Sequence, residues 1–456
     1  MLRRPRLEDE TIVRMQSSSI IIAEKPKFPI VTPSQSSLTA EPSIDVSEGE
    51  SRLIPMMNQV AARPVGKAPL FRAPAGARLP GIDRMRGLVI ILMALDHVRD
   101  FFNADALHFE PTDLTRTNPA LFLTRFVTHF CAPTFILLAG VSAYLHGAKL
   151  GDRRALARFL LARGVGLILL DIILVSPVWG LELGVIELAT LWAIGFSLIV
   201  LAGLVFLPPG GVLAVGALIL LGHNALDQVH AAEFGALAPL WIMLHEPGAL
   251  PFGLRGEVAY PVLPWLGIMA AGFGLGPVFL EANAQRKRKL TMLGLAALVL
   301  FLLLRGTNLY GDPRPWSAQG DGVMTALSLL NVTKYPPSLL YALVTLGPVF
   351  LLLPATERLG GIAGEVLETF GRVPLFIYVL HLYVAHAVAV VLWLAEGLEF
   401  HQLRSFEVRA APPEGLGLSL AGTYAAWILI MAALYPACRW YAGIKQRRRD
   451  WWLSYV

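Results

Sequence analysis

A helix that crosses the hydrocarbon core of a bilayer needs about 20 apolar residues. Windows of that length recur along this chain, with limits near 84–103, 119–146, 155–176, 186–207, 210–228, 260–280, 290–306, 335–354, 369–397 and 417–441. Such a run has few folds open to it, because lipid offers no partner to an unpaired backbone group. Composition agrees: 55% of the 456 residues are hydrophobic and 16% are charged, against about 25% charged in soluble domains. The expected fold is therefore all-α, a polytopic transmembrane helical bundle of about 10 spans built around one core. The "LPPGG" seam at 207–211 predicts a tight turn between two spans.

The net charge of +5 is modest, and Lys and Arg cluster between the apolar runs. The clusters are Arg72, Arg78 and Arg84; Lys149, Arg153, Arg154 and Arg158; "QRKRK" at 285–289; and "KQRRR" at 445–449. An even number of spans puts all four on one side, which the positive-inside rule makes cytoplasmic, with both termini there. This charge reports orientation and gives no reason to expect nucleic acid as a partner. Residues 1–77, rich in Ser, Pro and charges ("VTPSQSSLTAEPSIDVSEGESR"), are expected to form a disordered cytoplasmic tail without the layout of a signal peptide. Residues 78–445 are expected to hold the membrane domain, and 446–456 a short basic and aromatic tail. The two cysteines, Cys131 and Cys438, fall in different leaflets and predict no disulfide.

Ionisable groups inside spans are costly and tend to mark sites or pathways. The first span, "IDRMRGLVIILMALDHVRDFF", holds Arg86 and His97 eleven steps apart. Eleven steps of about 100° close roughly three turns, so both project from one face, about 16 Å apart along the axis. Asp96 and Asp100 flank His97. In the second span, "THFCAPTFILLAGVSAYLHG" places His129 at a similar depth among small residues that permit close helix approach. The ninth, "FGRVPLFIYVLHLYVAH", sets Tyr378 and His381 on neighbouring positions of one flank. "NVTKYPPSLL" reads as a helix entry with Lys334 and Tyr335 at the outer interface and Pro336 and Pro337 in the first turn. His108 and Glu110, and His245 and Glu246, lie in outer loops without His-Glu-x-x-His spacing, so no metal is expected.

Several blocks in order carry a resemblance from about residue 79 to about residue 392. They are "LPGIDRMRGLVIILMALDHVRDFF", "PALFLTRFVTHFCAPTFILLAGVSAYLHG", "YPVLPWLGIMAAGFGLG", "TKYPPSLLYALVTLGP" and "FGRVPLFIYVLHL". They are similar to the catalytic domain of the heparan-α-glucosaminide N-acetyltransferase family, and among its members to bacterial ones. The Arg86-x10-His97 spacing is also similar to a signature of membrane acyltransferases that modify surface polysaccharides. The resemblance implies transfer of an acetyl group from cytoplasmic acetyl-CoA, across a bacterial cytoplasmic membrane, to an amine or hydroxyl of a glycan or lipid-linked sugar. It implies an essential intramembrane histidine, for which His97, His108 and His129 are the candidates. Asp96 stands where animal members have an Asn. Those animal members are dimers, which raises a homodimer here.

Acyl transfer needs a base, an oxyanion donor and a meeting of thioester with acceptor. His97 suits the base, with Asp96 or Asp100 to orient its ring. Arg86 suits the phosphates of CoA. Lys334, Tyr335, Tyr378 and His381 are candidates to hold the acceptor. The rival expectation is a proton-coupled small-solute transporter that uses the buried His and Asp residues as a relay. Transporters often carry inverted repeats, and no convincing repeat relates the two halves of this sequence.

Overall fold

The computed structural model describes residues 79–180, 184–251, 253–399, 414–448 and 450. The expected tail at 1–77 lies outside them, as does most of the segment 446–456. The described chain is an all-α polytopic bundle with a few short strands. Its long helices are α1 (Pro80–Phe102), α2 (Pro119–Leu150), α3 (Arg153–Trp179), α4 (Thr190–Leu204), α5 (Pro209–Leu226), α6 (Val262–Leu280), α7 (Asn283–Thr307), α8 (Leu339–Thr356), α9 (Gly361–Arg372), α10 (Pro374–Ala395) and α11 (Leu420–Arg447). Among the described residues, 8 helices are long and apolar enough to cross a membrane. Helices α1 and α4 occupy the other two expected positions. The first carries Asp83, Arg84, Arg86, Asp96, Arg99 and Asp100, and the second has only 15 residues.

Local chemistry sets the helix ends. Pro80 opens α1, where a missing amide proton costs little. The Asn118 side chain accepts from Leu121 N ahead of α2, and Gly151 closes that helix in the left-handed region at φ 66°. Helix α2 is interrupted at His129 and Phe130, ahead of Pro133. Helix α3 passes through a π turn at Asp171–Val175. The buried Asp171 carboxylate accepts from Ala189 N (3.0 Å) and Trp192 N (2.9 Å) and so caps α4 from another helix.

Helix α7 begins at Asn283 instead of 290 and α11 runs to Arg447 instead of 441, and three further differences from expectation have a visible reason. Residues 186–188 form strand β1 (Ile186–Leu188) instead of helix, and α4 begins only at Thr190. Strand β1 pairs in parallel with β3 (Gly256–Val258), which pairs antiparallel with β2 (Gly248–Ala249). Helix α8 begins at Leu339, not 335, because residues before proline avoid helical backbone and Ser338 caps Tyr341 N. The ninth apolar run divides at Val373 into α9 and α10, with Pro374 opening the second.

Helix α1 packs against α2, α8, α9, α10 and α11 and is buried nearly all round. Its crossing with α9 is a backbone contact. A Cβ at Gly87 would lie 1.8 Å from Leu367 O, and one at Gly371 would lie 1.7 Å from Asp83 O. By contrast α7 turns Met292, Leu295, Val299, Leu302 and Leu303 outward, an apolar face suited to lipid. Cys131 and Cys438 are both buried and form no disulfide.

Candidate functional site

His97 is held from across the bundle. Its Nδ1 lies 2.8 Å from Nε2 of His381 on α10, with the rings nearly parallel at 8°. His381 Nδ1 lies 2.7 Å from the carbonyl oxygen of Ile377. A carbonyl only accepts, so a neutral His381 carries its proton on Nδ1 and offers the lone pair of Nε2. His97 must then donate from Nδ1, which leaves its own Nε2 as the basic nitrogen. Trp179 meets the His97 ring edge-on at 5.2 Å, and Tyr378 does so at 6.3 Å.

The carboxylates beside His97 serve a different group. Asp96 lies 2.8 Å from Arg99 Nη1, accepts from Arg125 Nη1 on both of its oxygens (2.8 and 3.0 Å) and from the Thr128 hydroxyl, and stands 4.0 Å from Lys334 Nζ. Asp100 pairs with Arg99 at 2.6 Å, and Arg125 Nε reaches Glu110 at 3.1 Å. Asp96, Arg99 and Arg125 are buried. Removing one member of such a network would strand a charge, at about 3–5 kcal/mol. The ring of His97 is therefore oriented by His381 instead of by Asp96 or Asp100.

Two of the cavities beside α1 bear on His97 and Arg86. The first, of about 490 Å³, has Arg86, Arg163, Arg372 and Lys445 among its lining and an apolar interior of residues such as Met93, Phe135 and Leu198. Arg86 is fixed there by Asp83 (3.3 Å), the Leu138 carbonyl (3.4 Å) and the Ser142 hydroxyl. The second, also about 490 Å³, is lined by His97, by five carboxylates (Asp96, Asp100, Glu110, Glu187 and Glu257) and by the cations Arg125 and Lys334. Both cavities are lined by Thr190 and Tyr378. The Arg86–His97 stripe thus runs from one cavity to the other.

The remaining sequence candidates fall as follows. Lys334 and Tyr335 line the second cavity, with the ammonium 5.1 Å from the Tyr335 ring centre and Tyr335 edge-on to Tyr260 at 5.3 Å. Tyr378 is the shared wall. His129 closes the first part of α2 and is buried against Phe126 and Tyr341, whose hydroxyl donates to its carbonyl. His108 ends a short helix, Ala104–His108, and its carbonyl accepts from Arg116. Neither histidine lines the two cavities.

Sequence reasoning passed over Arg99, Arg125, Trp179, Glu187 and Glu257. A signal existed for Arg99 and Arg125, which are charges inside apolar runs. Glu187 and Glu257 are register partners in the small sheet, which apolar windows do not reveal.

No curated protein matches the chain. The family model for the catalytic part of heparan-alpha-glucosaminide N-acetyltransferase matches residues 78–309. That span holds Arg86, Asp96, His97 and Arg125, and it ends before Lys334, Tyr378 and His381, which the fold brings to them. With half of its length matched around this site, the chain belongs to the heparan-alpha-glucosaminide N-acetyltransferase catalytic family of membrane proteins.

Proposed function

We propose that this protein moves an acetyl group from acetyl-CoA, bound in the first cavity, to a sugar amine bound in the second. The observation that carries this reading is the junction. A cation-lined cavity and a carboxylate-rich cavity share Thr190 and Tyr378, and His97 stands on the second side. The Lys445 end of the first cavity belongs to one of the basic clusters, so the positive-inside rule turns it to the cytoplasm and the second cavity outward. In a bacterium the protein would sit in the cytoplasmic membrane.

Each half of the chemistry has its groups. Arg86, Arg163, Arg372 and Lys445 suit the phosphates of CoA. The apolar interior suits the pantetheine arm, which carries the thioester toward Tyr378. The second cavity has five carboxylates against Arg125, Lys334 and the Arg99 that pairs with Asp96 and Asp100, and the excess of two negative charges favours an amine over a hydroxyl. The acceptor ammonium first releases one proton to the outer water, and His97 Nε2 takes the next from the free amine nitrogen as that nitrogen bonds to the acetyl carbon. The C–S bond breaks, and the departing thiolate of CoA takes the proton back from His97. The Tyr378 hydroxyl donates to the carbonyl oxygen while it bears negative charge. The products are the N-acetyl sugar and free CoA. Proton-coupled transport has no comparable observation behind it.

The test is acetyl transfer by the purified full chain in liposomes, with labelled acetyl-CoA on one side and a panel of amino sugars on the other. Transfer by the native chain and its loss in His97→Ala supports the reading. No acetyl-CoA binding and no acetylated product with any acceptor, or an unaffected His97→Ala, overturns it.

A further inference from the structure

Away from both cavities, at the far end of α5, a second group of titratable residues comes together. One ring nitrogen each of His223 and His245 and a carboxylate oxygen of Asp227 lie within 4.8 Å of one another. His223 opens the 3-10 turn that ends α5, and Asp227 follows that turn directly. His245 arrives from the end of the helical segment Ala231–Leu244.

Three observations set this apart from chance clustering. His223 is 2% exposed, and neither of its ring nitrogens has a hydrogen-bond partner. An imidazole always carries at least one N–H or lone pair that wants a partner, and burying it unmet costs about 1–3 kcal/mol. Asp227 is already oriented, since Asn224 Nδ2 donates to its Oδ2 at 2.9 Å while Oδ1 faces His245 Nε2 at 3.9 Å. Asn224 is itself held, accepting from Leu339 N at 2.9 Å. The His245 ring lies flat on Trp241 at 5.2 Å, and its Nε2 lies 2.8 Å from the carbonyl oxygen of His223, a bond that must open for that nitrogen to turn a lone pair to a metal. An oriented carboxylate and a stacked imidazole ring are what outer-sphere support gives a metal ligand set.

We infer that His223, Asp227 and His245 form a binding site for a divalent transition-metal cation of the Zn²⁺ class. Two imidazoles and one carboxylate suit Zn²⁺, Co²⁺ or Ni²⁺ better than Mg²⁺ or Ca²⁺, which prefer all-oxygen sets. Tetrahedral Zn²⁺ places its ligand atoms about 3.3 Å apart, so the separations need shorten by at most about 1.5 Å. The fourth position falls to water or to a nearby carbonyl. His245 precedes Pro247, which lines the second cavity, and strand β2. A metal here would fasten the tip of α5 to the segment that leads into that cavity wall. The inference stands whether or not acetyl transfer is the reaction.

The experiment uses the full chain in detergent, purified without a polyhistidine tag, stripped with chelator, exposed to excess Zn²⁺ and desalted. Elemental analysis is expected to find about one Zn²⁺ per chain in the native protein and in His230→Gln, and below about 0.2 in His223→Gln and in His245→Gln. Reloading the native protein with Co²⁺ is expected to give the visible absorption of a four- or five-coordinate site. Zn²⁺, but not Mg²⁺, is expected to raise the native Tm. A native protein that retains below about 0.2 Zn²⁺ and shows no Co²⁺ absorption overturns the inference, and so do variants that retain as much metal as the native chain. Should the variants fail to fold, the Co²⁺ spectrum and the Zn²⁺-specific Tm rise of the native chain decide.

Discussion

The Arg86 cavity and the His97 cavity are equal in volume and opposite in chemistry. One pairs a greasy interior with cations at its mouth, and the other collects carboxylates around a histidine. A symmetric carrier would offer one solute similar surroundings from either side. This contrast instead suits two different reactants that meet at a wall of two residues.

Mutations should sort according to the cavity they touch. The largest effect is expected at the base: His97→Ala should lower kcat/KM by about 10²–10⁴-fold while equilibrium dialysis still finds acetyl-CoA bound. Next come the groups that serve the junction. His381→Leu should cost about 10²-fold in kcat through the wrong His97 tautomer, and His381→Gln, whose amide oxygen can accept from Nδ1, should recover part of that with a native-like pH profile. Tyr378→Phe should cost about 10²-fold in kcat with both KM values near native, as loss of one oxyanion donor would. Arg86→Met should raise the KM for acetyl-CoA about 10-fold and leave the acceptor KM alone, as loss of a charge-assisted bond would. Smallest is Glu257→Gln on the exposed rim, for which steady-state assays should show an acceptor KM raised roughly 2–3-fold and an unchanged donor KM. If Arg86→Met moved the acceptor KM, or Glu257→Gln the donor KM, the division of labour between the cavities would fail.

The helices were legible because a lipid-spanning segment must be long, apolar and self-satisfied. The Arg86–His97 stripe was legible for a related reason, since helical period alone fixes which residues share a face. What escaped was long-range. His381 stands 284 residues from His97, and nothing local in either segment announces their hydrogen bond. Asp96 read as a partner for its neighbour His97, but Arg125 and Thr128 on another helix claim it. The strand at Ile186 hid within an apolar window because such windows do not distinguish a short buried strand from a helix start. His223 and Asp227 went unnoticed as ligands because the third member, His245, comes from a separate segment.

The glycine crossing of α1 and α9 bears on how the molecule can move. With backbone meeting backbone at Gly87 and Gly371, this joint has no side-chain cushion on which one helix could glide past the other. A swinging motion that parted α1 from α9 would have to prise the joint open on every cycle. A valve that works by turning one side chain would leave it shut, and Tyr378 is the side chain standing in the doorway.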